Sequence, residues 1–225
     1  MSKVLITEQR EQAGSDSYNR FEYQVHWIVC YIIGKMQENA KCIVFCEFHD
    51  DMAEFSPNNQ QYQFFQIKTK EDPSNWTIAE MSKKEKKKTG EYKKSFLGFI
   101  FYNYLVFDNE CSNCYFISNN DFDNDVLLWQ SYIEDEKALQ KENIELYKKI
   151  KNRIEKEFSN DMPSNFDSVF ENFIQNTFIC KSELQLTTYE SQTMGKFFNY
   201  LADKNIPSNT ANLIFQQLLN DVRKK

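Results

Sequence analysis

The chain has 225 residues, 41% of them hydrophobic and 16% aromatic, so it is long enough to bury a sizeable core. Five glycines and four prolines are too few for a collagen-like, linker-like or turn-dense all-β chain. The formal net charge of −6 makes the protein acidic overall, but a local basic patch would still allow it to bind nucleic acid.

The expected compartment follows from the apolar runs and the cysteines. No apolar run approaches the ~18 residues that a membrane-spanning helix needs. Residues 1–7 lack the apolar segment of a signal peptide. We therefore expect a cytoplasmic protein without membrane contact, in which the six cysteines are reduced thiols.

The first half of the chain is predicted to alternate between helices and short strands. Apolar residues at 21, 25, 28, 29, 32 and 33 recur at helical spacing and predict an amphipathic helix over residues 19–38. Gln24 lies on the flank of this apolar stripe, and His26 lies on the polar side, where we assign it no role. Strands are expected at 43–48, 52–55, 62–68 and 114–118, a short helix capped by Thr77 at 77–81, and a core helix at 91–107.

The second half is predicted to be mainly helical. Helices are expected at 125–133, 136–158, 166–175, 189–202 and 209–223, with a short strand inside 177–186. The order of elements predicts an α/β fold with a small mixed sheet flanked by helices and a C-terminal helical extension. We expect one domain over 1–125, with the extension over 126–225 packed on it and available for oligomerisation or contact with a partner.

A lysine-rich segment, residues 82–94, interrupts this pattern and is called the lysine tongue below. It holds seven lysines and two glutamates, so its charge is +5 while the rest of the chain carries −11. The tongue is either a solvated loop or a surface that holds the phosphates of a nucleic acid. In the second interpretation the contacts come from Lys70, Lys83, Lys84, Lys86, Lys87 and Lys88.

Polar side chains gather at one end of the three predicted N-terminal strands. Strand side chains alternate between faces, so Gln66 and Lys68 point the same way while Ile67 points the other way. If neighbouring strands pair, the carboxylate of Asp51 lies near Gln66 and Lys68. An acid, a carboxamide and an ammonium at one sheet edge outline a metal-dependent site that cleaves phosphodiesters.

Each of these residues has a candidate role in that chemistry. Asp51 can bind Mg²⁺ as a hard oxygen donor, Gln66 can add its side-chain carbonyl oxygen, and Ile67 can add its backbone carbonyl. Lys68 can position the attacking water or stabilise the pentavalent phosphate, and Glu47 is a candidate further acid. Two alternatives stay open: Asp50 could replace Asp51 as the ligand, or Asp51 could cap a hairpin while Gln66 and Lys68 are surface residues.

Four motifs give the chain a family resemblance that covers roughly residues 14–120. They are Phe21-Glu22-Tyr23-Gln24 on the first helix, Glu47-Phe48-His49-Asp50-Asp51, Gln66-Ile67-Lys68-Thr69 with Trp76 after it, and Phe116-Ile117-Ser118-Asn119. Through these four motifs the chain resembles the PD-(D/E)xK nuclease superfamily, in the branch whose third motif is QxK. More narrowly, it is similar to the N-terminal nuclease domain of CD-NTase-associated (CBASS) and Lamassu-type anti-phage effectors.

The resemblance implies a restriction-endonuclease-like core and a role for each matching residue. Asp51 corresponds to the metal ligand, Lys68 to the catalytic lysine, Gln66 to the polar partner of the QxK motif, and Gln24 to the helix residue that completes the site. Two departures stand out. The family's glycine before the helix is absent near Tyr18, and Gln rather than Glu at position 66 leaves one charge fewer for a second ion.

The function implied by the resemblance is a Mg²⁺- or Mn²⁺-dependent endonuclease that degrades double-stranded DNA without sequence preference, as an anti-phage effector. Restraint is then expected from a sensor domain, from oligomerisation, or from partner subunits such as an SMC-like or HerA-type ATPase. A binding module on a degenerate nuclease fold and an RNase on the same fold are the alternatives.

Overall fold

The computed structural model describes residues 12–47, 50–86, 90 and 92–224, with side chains from Tyr18 onward except that of Asp203. Five strands and nine α-helices are found in this part of the chain. The strands are β1 (Ile43–Cys46), β2 (Met52–Ser56), β3 (Gln61–Lys68), β4 (Cys111–Ser118) and β5 (Thr177–Lys181). The helices are α1 (Gln12–Gln37), α2 (Ile78–Met81), α3 (Phe96–Phe107), α4 (Asn124–Glu134), α5 (Leu139–Glu142), α6 (Ile144–Glu157), α7 (Phe166–Asn176), α8 (Tyr189–Leu201) and α9 (Ser208–Arg223).

The five strands form one mixed sheet in the order β1-β2-β3-β4-β5. β1, β2 and β3 pair antiparallel, whereas β4 runs parallel to both β3 and β5. Parallel neighbours need a crossover, and the helices between β3 and β4 and between β4 and β5 supply it. The predicted α/β fold, with a small mixed sheet flanked by helices, is therefore confirmed.

Alternating side chains divide the interior into two cores. Phe64 and Phe116 point to the face covered by α3, α4, α6 and α7. Phe65 and Ile67 point to the opposite face, where α1, α8 and α9 pack. Both faces of the sheet are thus covered, as expected for a sheet with parallel central strands. None of the described helices combines the length and the apolar character needed to cross a bilayer.

Three predicted helices differ clearly from the observed ones. The first helix, predicted over 19–38, begins at Gln12 and ends at Gln37. The other two differ because polar side chains cap helices inside the predicted ranges. The side chain of Asn143 accepts a hydrogen bond from Leu146 N at 3.1 Å, so the predicted helix 136–158 is divided into α5 and α6. The hydroxyl of Ser95 accepts from Gly98 N at 2.9 Å, which starts α3 at Phe96 rather than near residue 91. Both are ordinary N-cap interactions.

The prediction that His26 lies on the polar side of the first helix is wrong. Its side chain is buried, and its ring contacts those of Tyr189 and Phe215 at centroid distances of 5.0 and 6.4 Å. The helices α8 and α9 cover this side of α1, which an apolar stripe on α1 alone does not reveal. Burial lowers the pKa of His26 below its ordinary value.

Residues beyond 125 contribute to the sheet as well as to the helices. β5 pairs with β4 over five residue pairs, from Cys114 opposite Thr177 to Ser118 opposite Lys181. The carboxylate of Glu157, at the end of α6, accepts hydrogen bonds from the backbone N–H and the hydroxyl of Ser95. This contact fixes the N-terminus of α3. The predicted boundary near residue 125 remains a prediction.

Gly98 provides the room for this contact and gives a test of it. A Cβ at position 98 would lie 2.2 Å from Oε1 of Glu157, so Gly98→Ala must displace the carboxylate from Ser95. Charged hydrogen bonds contribute about 1.5–3 kcal/mol each, against a gain of about 0.5–1 kcal/mol from alanine in a helix. We expect Gly98→Ala to lower the free energy of unfolding by roughly 1–2 kcal/mol in urea titrations.

The matched control is Gly195 in α8, where an added Cβ meets nothing within 4 Å. Gly195→Ala should raise the stability by about 0.5–1 kcal/mol. In a Glu157→Ala background, Gly98→Ala should become stabilising as well. Equal effects of the two glycine substitutions in the wild-type background would show that Glu157 does not hold α3.

Candidate active site

The residues predicted at the sheet edge meet where β2 begins and β3 ends. Asp51 directly precedes β2, and Lys68 is the last residue of β3. Oδ2 of Asp51 accepts hydrogen bonds from Lys68 Nζ at 2.9 Å and from the backbone N of Ile67 at 2.6 Å. Both side chains of the ion pair are mostly buried, with 19% of Asp51 and 24% of Lys68 exposed. The carboxylate and the ammonium are therefore held as one unit.

Gln66 lies beside this pair on the same face of β3 as Lys68. Its side chain is buried, with 4% exposed, and its Oε1 has no hydrogen-bond partner among the described residues. A buried carbonyl oxygen without a partner costs about 1–3 kcal/mol, so it is expected to serve a ligand. An acceptor-only oxygen at this place suits a cation.

Gln24 reaches the site from α1. Its Nε2 donates a hydrogen bond to the backbone carbonyl of Ile67 at 2.8 Å. Both backbone polar groups of Ile67 are thus held by side chains, since its N–H donates to Asp51 and its C=O accepts from Gln24. The carbonyl predicted as a metal ligand already accepts one hydrogen bond and keeps its second lone pair.

Asp50 adds a second carboxylate next to Asp51. Its Oδ1 accepts from the backbone N of Asp51 at 3.1 Å, and its Oδ2 lies 3.4 Å from Nδ2 of Asn103 on α3. Burial first, and the negative charge of Asp51 second, raise the pKa of Asp50 to about 7, although Lys68 acts in the opposite direction. One ammonium does not balance two adjacent carboxylates, so the site favours an additional positive charge.

The donor set fits a hard divalent cation. Among the described residues, no three His, Cys, Asp or Glu side chains converge on one point. The site does hold two carboxylates, of Asp50 and Asp51, and the buried amide oxygen of Gln66. Such oxygen donors are the ligands that Mg²⁺ and Mn²⁺ accept together with several waters. The residues that can hold such an ion are Asp50, Asp51, Gln66 and the carbonyl of Ile67.

Glu47 is brought close to Asp51 through the backbone. Its N–H donates to the carbonyl of Asp51 at 3.0 Å, and its positive φ of 55° ends the regular alternation of β1. Its side chain is exposed. A role for Glu47 as a further acid stays a prediction.

A cleft of ≈ 830 Å³ opens next to Lys68 and Gln24. Its described lining holds six cationic and two acidic side chains, so its net charge is positive. The cations come from α1, the end of β3 and both arms of the lysine tongue, and they are Arg20, Lys68, Lys83, Lys84, Lys86 and Lys93. A groove with a net positive charge is suited to the phosphates of a nucleic-acid backbone.

The cleft includes residues that the sequence did not indicate. Arg20 was not predicted, because only the folded chain brings it beside the tongue lysines, and Lys93 lies in the predicted tongue but was not among the contacts named. The two arms of the tongue pair through a bridge between Lys86 and Tyr92 and a hydrogen bond from Lys93 N to Glu85 O of 2.8 Å. The predicted contacts Lys87 and Lys88 lie outside the described residues.

Lys70, also predicted to bind nucleic acid, is engaged inside the protein. Its ammonium lies 2.9 Å from Oε1 of Glu80 and 5.0 Å from the ring centre of Trp76. Its backbone N–H donates to Oδ1 of Asn119, whose Nδ2 donates back to the carbonyl of Lys70. The indole N–H of Trp76 binds the hydroxyl of Ser118. These contacts lock the loop after β3 to the loop after β4.

Comparison with known proteins adds a family and a fold. The family model "Cap4, dsDNA endonuclease domain" matches residues 12–225. A solved structure from Moraxella osloensis, described as a Cap4 SAVED/CARF-domain containing receptor, aligns with a TM-score of 0.51 and 15% identity. The alignment covers 90% of this chain and 42% of that one, so this chain spans less than half of that receptor. No curated protein matches the sequence.

Proposed function

The chain belongs to the family of Cap4 double-stranded DNA endonuclease domains, and we propose that it cuts DNA with a divalent cation at the Asp51–Lys68 pair. The observation that carries this proposal is the 2.9 Å contact between these two side chains, beside a Gln66 oxygen that has no hydrogen-bond partner in the part of the chain that the structure describes. Hydrolysis of a phosphodiester needs a cation that offsets charge, an oriented water and a positive group near the developing negative charge.

Each side chain takes a part that its surroundings support. Asp51, Gln66 and the carbonyl of Ile67 would hold Mg²⁺ or Mn²⁺, which when bound lowers the pKa of water and neutralises phosphate charge. Lys68 faces the cleft and would donate a hydrogen bond to the attacking water or to a phosphate oxygen. Gln24 keeps the Ile67 peptide in place for both functions.

The cationic cleft would hold the backbone of double-stranded DNA. Phosphate contacts give affinity and register without reading bases, so we propose cleavage with little sequence preference. In this proposal the phosphates are bound by five cationic side chains that line the cleft, namely Arg20, Lys83, Lys84, Lys86 and Lys93. Lys70 would act indirectly, by fixing the loop behind Lys68.

The biological setting is also a proposal. This chain corresponds to 42% of a receptor whose name includes a SAVED/CARF domain. We therefore propose an anti-phage nuclease unit controlled by a sensor domain of that kind, rather than by an SMC-like or HerA-type ATPase. Oligomerisation through the helices beyond residue 125 would bring nuclease units together on DNA.

The direct test is the degradation of plasmid DNA by the purified chain at low and high protein concentration. With Mg²⁺ or Mn²⁺ we expect nicked and linear products and then small fragments, and EDTA should abolish them. An RNA duplex and a single-stranded RNA are run beside the plasmid. Cleavage that persists in EDTA, or that is confined to RNA, would contradict the proposal. DNA binding without cleavage at every concentration and in either metal would favour a binding module.

Neutralising the tongue tests the cleft separately. The triple substitution of Lys83, Lys84 and Lys86 to glutamine should weaken DNA binding and reduce the slope of log K against log salt by about 2–3, since each neutralised phosphate accounts for roughly 0.9 of that slope. These three side chains are exposed, so the melting temperature should change little. Binding is measured by fluorescence anisotropy with Ca²⁺ in place of Mg²⁺.

The control variant carries three lysines elsewhere on the surface changed to glutamine, namely Lys149, Lys196 and Lys224. Each of them is in an exposed ion pair with an acid. This variant has the same change in net charge and should keep nearly the wild-type salt slope. Equal slopes for the two triple variants would remove the tongue from the DNA-binding surface.

A further inference from the structure

Asn103 is an unusual residue in its helix. α3 has the sequence FLGFIFYNYLVF, so Asn103 carries its only amide and no residue of the helix is charged. Its side chain is nevertheless buried, with 1% exposed. Burying an amide costs free energy unless it is hydrogen-bonded, so a purely structural position facing the sheet would be expected to hold an apolar residue. The contact that Asn103 makes is therefore informative.

That contact is with the active site. Nδ2 of Asn103 lies 3.4 Å from Oδ2 of Asp50, while Oδ1 of Asp50 accepts from the backbone N–H of Asp51. One oxygen of the carboxylate is held from the sheet edge, and the other faces the amide on α3. The helix itself is anchored, because its first turn is fixed by Ser95 and Glu157. Asn103 therefore offers its amide N–H to Asp50 from a helix whose position is fixed.

The choice of a neutral donor has a chemical meaning. A lysine or arginine at this position would cancel the charge of Asp50, whereas an amide orients the carboxylate and leaves its negative charge available. Carboxylates that bind metals are commonly held in this way by hydrogen bonds from neighbouring groups. With Asp51 and the buried oxygen of Gln66, an oriented Asp50 would supply oxygen donors of the kind that Mg²⁺ or Mn²⁺ accepts.

We propose that Asn103 is a positioning residue for the divalent cation, and that it holds Asp50 as an oxygen ligand beside Asp51. This inference rests on the proposed metal-dependent function and extends it to two residues. In this proposal Asp50 and Asp51 both bind the cation, so neither of them is the only carboxylate ligand. Asn103 acts only through Asp50, and this distinguishes it from a residue that merely supports the fold.

The test measures metal binding without turnover. Mn²⁺ is titrated into the full chain without DNA, and free Mn²⁺ is followed by electron paramagnetic resonance. Asn103→Leu keeps a side chain of similar size but removes the donor, so the dissociation constant for Mn²⁺ should rise about 10- to 100-fold. Asp50→Asn should raise it at least as much.

Gln130 on α4 provides the matched control. It is also a buried helix amide facing the sheet, and it bonds Thr177 O at 3.2 Å and Ile179 N at 2.8 Å, away from the site. Gln130→Met should lower the melting temperature and leave Mn²⁺ affinity unchanged. Adding Asn103→Leu to Asp50→Asn should cause no further decrease in affinity, because the amide then has no carboxylate to hold.

The outcomes separate this inference from the proposed function. Wild-type Mn²⁺ affinity in folded Asn103→Leu, or full additivity with Asp50→Asn, overturns the role of Asn103. If Asn103→Leu does not fold, wild-type affinity in Asp50→Asn overturns it. Metal-dependent plasmid cleavage by the wild-type chain in the same preparation would show that the proposed function still holds. A wild-type chain that cleaves DNA in EDTA and binds no Mn²⁺ overturns both.

Discussion

Replacing Lys68 with methionine is expected to lower the rate of DNA cleavage by about 10²- to 10³-fold, the usual cost of removing one group that stabilises transition-state charge. Methionine keeps the unbranched apolar stem of the lysine. The lysine ammonium that it lacks lies 5.5 Å from the ring centre of Phe96. The substitution removes the charge that touches Asp51 and faces the cleft. The measurement is a single-turnover rate on a supercoiled plasmid, with Mg²⁺ saturating.

The control for Lys68 is a lysine in a similar ion pair at the surface. Lys196 lies 2.6 Å from Oε2 of Glu183, and Lys196→Met should cleave at the wild-type rate. DNA affinity in Ca²⁺ should fall only slightly in Lys68→Met, because the other cations of the cleft still bind the phosphates. A variant that binds DNA normally and cleaves at the wild-type rate would place the chemistry elsewhere in the protein.

Asp51→Asn is expected to abolish cleavage by removing the cation. Asparagine preserves the size of the side chain and an oxygen that can still accept from the backbone N of Ile67. It removes a full negative charge from the proposed ligand set, and we expect Mn²⁺ affinity to fall by at least about 100-fold. The fold should persist, because the substitution also relieves the repulsion between Asp51 and the buried Asp50.

Two measurements distinguish metal release from unfolding in this variant. The melting temperature without metal should stay near the wild-type value, whereas the rise in melting temperature that Mn²⁺ gives the wild type should disappear. Asp121→Asn, at an exposed acid paired with Lys181, should keep both cleavage and metal binding. Wild-type Mn²⁺ affinity in Asp51→Asn would mean that the ion is bound by other residues.

The sequence predicted what depends on local periodicity and on short-range pairing. The antiparallel β2–β3 pair follows directly from alternating side chains and the turn at 56–60, and it brings Asp51 to Lys68. The N-cap of α2 at Thr77 was likewise predicted, and the structure adds Glu80 as its partner in a capping box. The contact of Gln24 with the site followed only from the family motif, since helix periodicity allows several orientations of α1.

What the sequence could not predict depends on packing between distant segments. Arg20 and Lys93 lie far apart along the chain, and nothing local indicates that they line one cleft with Lys68. The apolar stripe of α1 predicted His26 on the polar side. The burial of His26 could not be predicted locally, because the helices that cover it begin only at Tyr189. Asn103 lies within an apolar helix, and a lone amide among aliphatic and aromatic residues is the one signal by which the sequence could have indicated it.

The position of β5 has a consequence for how the molecule is made. β4 pairs on both sides, yet its second partner, β5 (Thr177–Lys181), leaves the ribosome long after the segments that hold Asp51 and Lys68. Until then β4 presents an open edge flanked by Phe116 and Ile117, which invites pairing with other nascent chains. The sheet is therefore completed late in synthesis, and we expect fragments that end before Lys181 to aggregate more readily than the full sequence.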